Sequence, residues 1–165
     1  MLRTRPDGEP SATSIVPPMR AAVTLAAALV AVTVAGCGNS GSQGLSHDRL
    51  VKETDAVCKR LDKRLAKIEE PENAAGYLEF LEGTHDAVIK SRDDLRALDP
   101  SAADAPSYTR LTTTYDQLER TLAELEKAAK QERPYEIERL SSKVDRLVTS
   151  SEKIAKQLGA TGCAR

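Results

Sequence analysis

The chain has 165 residues, 40% hydrophobic and 3% aromatic, with 24 Lys and Arg against 25 Asp and Glu and a formal net charge of −1. Near-neutral balance with both signs interspersed removes the electrostatic ground for nucleic acid as a partner, and the length suits one ordinary domain. Three cysteines, two methionines and two histidines leave little material for metal or haem ligation.

The first element is an apolar run, residues 21–34, that closes on Val34-Ala35-Gly36-Cys37 and continues as Gly38-Asn39-Ser40-Gly41-Ser42. About fourteen apolar residues are too few for a permanent span of a roughly 30 Å hydrocarbon core, which needs about twenty. Gly36, Gly38, Gly41 and Gly44 would break a core helix there, so the run reads as a targeting segment with a cleavage site after it. Val34-Ala35-Gly36-Cys37 resembles a bacterial lipobox. That resemblance implies a lipoprotein signal peptide over residues 1–36, a diacylglyceryl thioether on Cys37, and residence on the extracytoplasmic face of the cell membrane. It implies no cofactor beyond that covalent lipid. Arg3 and Arg5 are mixed with Asp7, Glu9 and Pro10, whereas Met19-Arg20 directly precedes the apolar run, so Met19 is a candidate start. Without the leader the net charge is about −2 and no methionine remains.

Residues 37–45 read as the lipidated cysteine and a Gly/Ser-rich tether, and residues 46–165 as the folded part. Ser46 can cap a first helix whose stripe is Leu50, Thr54, Val57, Cys58, Leu61, Leu65 and Ile68, ended by Pro71. Ala74, Tyr77, Leu81, Thr84, Val88, Ser91, Leu95 and Leu98 form a second helical seam, stopped at Asp99-Pro100. A third begins near Asp104, tolerates Pro106 in its first turn, and carries Tyr108, Leu111, Tyr115, Leu118, Leu122, Leu125 and Ala129 inward. Pro134 turns the chain into a fourth, with stripe Ile137, Leu140, Val144, Leu147, Ser151, Ile154 and Leu158, closed by Gly159 as C-cap. No strand signal appears. Four helices of about 24 to 27 residues with short loops predict an all-α, antiparallel up-down-up-down four-helix bundle.

With Cys37 given to lipid, Cys58 and Cys163 are an even pair in an oxidising compartment, and a disulfide between them is expected. In an up-down-up-down order the fourth helix ends beside the start of the first, while Cys58 lies about 18 Å along it. The tail must therefore turn back along the first helix, which Gly159 and Gly162 make easy.

Sites for chemistry are scarce. Glu82-Gly83-Thr84-His85 is a single Glu-x-x-His, half of a di-iron bundle motif, and Glu82 falls outside the seam; His47 sits at the far end of the first helix. No metal site, no catalytic residue and no cofactor are assigned. No Gly-x-Ser-x-Gly, Ser-x-x-Lys, phosphate loop or calcium loop accompanies the serines and threonines. Tyr77, Tyr108 and Tyr115 fall on inward stripes as core or as the lining of a small cavity. Lys59, Arg60, Lys63, Arg64 and Lys67 against Asp62 form a basic face that could meet an anionic envelope polymer or headgroups, or simply be solvated.

Lipobox, polar tether and a bundle with one cysteine in its first helix and another near the C-terminus resemble the small helical lipoproteins of high-GC Gram-positive bacteria. The resemblance implies no functional residue beyond Cys37. The expectation is a non-enzymatic, monomeric binding or scaffolding domain at the cell envelope, touching a protein or polymer and not nucleic acid. A carrier of a small apolar ligand between the helices is the alternative, and a hydrolase or metal enzyme the third reading. A cavity of several hundred Å³ beside Tyr77 or Tyr115 separates the first two.

Overall fold

Residues 44–163 are described by the computed structural model; Met19, the Val34-Ala35-Gly36-Cys37 motif and residues 38–43 of the tether lie outside the described residues. Four helices follow in order: α1 His47–Leu65, α2 Ala74–Arg96, α3 Ala105–Lys130 and α4 Pro134–Leu158, then a 3-10 turn Thr161–Cys163. Among the described residues no strand forms, and a single parallel bridge joins Leu45 to Pro100.

The helix limits follow local chemistry. Asn73 accepts from the Gly76 N–H at 3.0 Å and so satisfies one of the free donors at the start of α2. Pro106 and Pro134 occupy first-turn positions where a missing N–H costs nothing. Gly159 closes α4 with φ 95°, a left-handed conformation that a Cβ would penalise. Ser46 flanks α1 but makes no side-chain cap bond. The start of α1 is held instead by His47 Nδ1 against Asp104 Oδ1 at 2.8 Å and by the Leu45 N–H on the Asp99 carbonyl at 2.6 Å. Gly44 and Leu45 thus belong to the folded part, which begins two residues earlier than Ser46. A Cβ on Gly44 would sit 2.8 Å from the Asp99 oxygen and closer still to the Pro100 carbonyl, so only glycine fits against that backbone.

Residue pairs fix the antiparallel order. From α1 to α2 and the turn after it, His47 meets Asp104 just before α3, Arg60 meets Asp94 of α2, and Ile68, just past α1, lies against Gly83 of α2, so numbers rise on one side of the pairing and fall on the other. Between α2 and α3 the same holds for Glu82 with Lys130, His85 with Glu126 and Arg96 with Asp116. Gly159 stands beside Val51, which returns the end of α4 to the start of α1. The fold is the expected all-α four-helix bundle. After Gly159 the tail runs back along α1, its Gly162 N–H donating to Asp55 Oδ1 at 2.8 Å, and Cys58 is bonded to Cys163 with Cα atoms 5.0 Å apart.

The core joins Leu50 and Val57 to Leu81, Val88 and Leu95, to Leu111, Leu118, Leu122 and Leu125, and to Leu140, Ile154 and Leu158. Burying each such side chain contributes roughly 1.5 to 3 kcal/mol against the ordering entropy of the chain. Fully buried Ser91 and Thr121 satisfy their hydroxyls on the carbonyls of Ala87 and Gln117, one turn back. Tyr108 donates to the Leu95 carbonyl at 2.7 Å, and burial pushes its phenol above the ordinary range, with the Thr54 hydroxyl opposing in part.

The expected stripes need three corrections. α1 has 19 residues against 23, 26 and 25 for the others, so the four helices are not equal and Ile68 lies beyond its end. Ala128 is fully buried, whereas Ala129 is only partly buried against the core. Ile137, Val144 and Leu147 are only half-buried. The first and third have one physical cause: α1 stops before it can cover the first half of α4.

Candidate binding groove

The early end of α1 is a tertiary event. Ala66 caps the helix and the chain leaves it through Lys67 and Ile68, whose N–H groups bond to Arg64 and Leu65. Ile68 then seats on Gly83 of α2, where a Cβ would lie 3.3 Å from the Ile68 side chain. The missing side chain at Gly83 makes a notch, and Ile68 fills it from outside the helix. Glu69 and Glu70, placed against the negative end of α1's dipole, oppose further helix, and Pro71 pushes Glu70 out of helical geometry.

Stopping α1 there opens a groove between the α1 end, α2 and α4, floored by α3. Leu65, Ile68, Tyr77, Phe80, Leu122, Leu125, Val144 and Val148 line about 560 Å³. A smaller recess of about 100 Å³ continues from it, sharing Leu65, Thr84, Leu122, Val144 and Val148 and reaching Tyr115 and the Cys58–Cys163 bond. Thr84 lines both hollows, and its buried hydroxyl oxygen has no protein hydrogen-bond partner. A half-open, mainly apolar hollow of this size with one unsatisfied polar group in its wall has the make-up of a small-molecule site.

The chain matches no protein-family model, no curated protein and no solved structure. Its site must therefore be read from its own residues.

The basic face divides in two. Arg60 Nε and Arg64 Nη2 both reach Asp94 Oδ2, at 3.2 and 3.3 Å, and Arg64 Nη1 donates to Ser91 Oγ at 3.1 Å. Those two cations fasten α1 to α2. Lys59, Lys63 and Lys67 are exposed, and none has an ion pair among the described residues. The five residues are therefore not one free patch.

Glu82 and His85 part company. Glu82 is exposed and pairs with Lys130 at 2.8 Å, holding that ammonium above its ordinary pKa, while His85 turns inward. Its Nδ1 lies 2.6 Å from Glu126 Oε1 and its Nε2 3.5 Å from Glu119 Oε1, and Glu119 also meets Arg92 at 3.3 Å. The Asp93 carboxylate bonded to Arg92 holds that guanidinium above its usual range. The cluster ties α2 to α3, and among the described residues no group of three or more His, Cys, Asp or Glu side chains is placed to hold a metal ion.

Of the three inward tyrosines, Tyr108 is core, while Tyr77 lines the groove and Tyr115 the recess. Sequence reasoning missed Phe80, which stands one position off the α2 seam, and it missed the turn at Ile68. The only signal was Gly83 inside the second helix, where a missing Cβ leaves room for a side chain from outside it.

Proposed function

We propose that this protein is a lipid-anchored, non-enzymatic binding protein of the cell envelope that takes a small apolar ligand into the groove between α1, α2 and α4. The observation that carries the reading is the hollow of about 560 Å³ lined by Ile68, Tyr77, Phe80, Val144 and Val148. A well-packed bundle of this size would hide those side chains, and their partial exposure costs stability unless something covers them. Val34-Ala35-Gly36-Cys37 supports the anchor and the extracytoplasmic address. A helix face that meets an anionic polymer is favoured less, because Arg60 and Arg64 are already committed to Asp94 and only three lysines of the face are free.

The test is titration with phenylnaphthylamine, an uncharged dye that brightens in apolar surroundings. The purified protein should bind it with one-to-one stoichiometry, and Val148→Arg, placing a charge in the groove wall, should abolish binding while leaving the helical circular dichroism intact. Undiminished binding by that variant, or none by the native protein, would remove the groove as the site.

A further inference from the structure

The groove has a charged mouth, and its sign selects the ligand. Next to the apolar hollow, and sharing Ile68 and Phe80 with it, lies a second hollow of about 590 Å³ lined by Glu69, Glu70, Glu72 and Glu79, with Lys67 as its single cation. None of those four carboxylates has an ion pair among the described residues. The charged side chains that line the apolar part itself, Asp145 in the groove and Asp62 and Glu152 in the recess, are acidic as well. No lysine or arginine lines either of them.

The three hollows adjoin. The mouth shares Ile68 and Phe80 with the groove, the groove shares Leu65, Thr84, Leu122, Val144 and Val148 with the recess, and the bonded Cys58 and Cys163 line the recess. An apolar groove beside a negative mouth suits a molecule with one apolar tail and one positive head. We infer that the ligand is a small cationic amphiphile, a single aliphatic or aryl tail bearing an ammonium group, with its tail in the groove and its head among Glu69, Glu70, Glu72 and Glu79. An anionic amphiphile such as a fatty acid would bring its carboxylate to the same mouth against four like charges, a repulsion that salt screens. A hollow of about 560 Å³ is the size of a small-molecule site, which favours a single tail over a polypeptide helix.

This rests on the groove being a ligand site, and the experiment separates the two claims. Dodecyltrimethylammonium and dodecanoate, both below their micellar concentrations, compete against phenylnaphthylamine on the full protein at low salt. The ammonium amphiphile should displace the dye at a concentration at least about tenfold lower than the carboxylate, and added salt should narrow the gap. In Glu69→Gln/Glu72→Gln/Glu79→Gln the preference should fall below about threefold, since three of the charges that set it are gone, while dye affinity, reporting the apolar groove, should stay native. Equal displacement by the two amphiphiles, or preference for the carboxylate, overturns the cationic ligand and leaves the groove. Dye that never binds overturns both.

Discussion

Two residues carry local predictions because their geometry leaves little freedom. Gly159 is at φ 95° at the end of α4, and its substitution by alanine would force a Cβ into the left-handed region while bringing it 3.4 Å from Val51. Gly159→Ala should lower unfolding free energy by about 1 to 2 kcal/mol, measured by urea denaturation at constant slope. Asp104 accepts from His47 and from Ser101 Oγ, at 2.8 Å in each case, and these bonds hold its carboxyl below the ordinary range. A carboxyl depressed in the folded state favours folding above its unfolded value, about 3.9, and that contribution disappears as pH falls through the lower folded value. Asp104→Asn should therefore flatten part of the acid limb of the stability curve below about pH 4. An unaltered acid limb would mean that the bonds around Asp104 carry no linkage.

At the scale of the helix, burial sorts the seam positions. Leu118 is 4% exposed in the middle of α3, whereas Leu147 on α4 is half-buried where α1 fails to reach it. Leu118→Ala should cost about 2 to 5 kcal/mol, Leu147→Ala distinctly less, and Glu124→Ala on the exposed side of α3 under about 0.5 kcal/mol. Equal losses at Leu118 and Leu147 in thermal or chemical denaturation would put α1 over α4 and close the groove. The same positions show what was legible in the sequence. Pro71, Pro100, Pro134 and Gly159 punctuate the chain, so helix number, order and the α4 cap follow from local chemistry. The length of α1 does not, because the side chain that ends it, Ile68, is placed by Gly83 on another helix. A seam pattern continues through Ile68 on paper; only the notch opposite tells that it has left the helix. Phe80 and the half-covered Val144 and Val148 follow from that single event, and so the site was less legible than the fold that surrounds it.

For the molecule as a whole, the disulfide links the last residues to the middle of α1 across a sequence separation of 105. Closing so long a loop removes much of the unfolded chain's freedom, and Cys58→Ser/Cys163→Ser should lose about 4 kcal/mol of stability on the chain-entropy account. Because both cysteines line the recess, that variant should also loosen the recess and weaken tail binding, a combination that a purely structural bridge far from the site would not give. Non-reducing peptide mass analysis of the exported protein tests the bond itself, and the same digest tests lipidation at Cys37, which Cys37→Ala should abolish together with membrane fractionation.

The claim that the groove is a binding site is tested most directly by amide and methyl chemical-shift mapping of the protein as phenylnaphthylamine is added. Perturbations should cluster at Ile68, Tyr77, Phe80, Thr84, Val144 and Val148, saturate together, and spare Lys59 and Lys63 on the outer face of α1. Shifts confined to that lysine face, or scattered without saturation, would contradict the account.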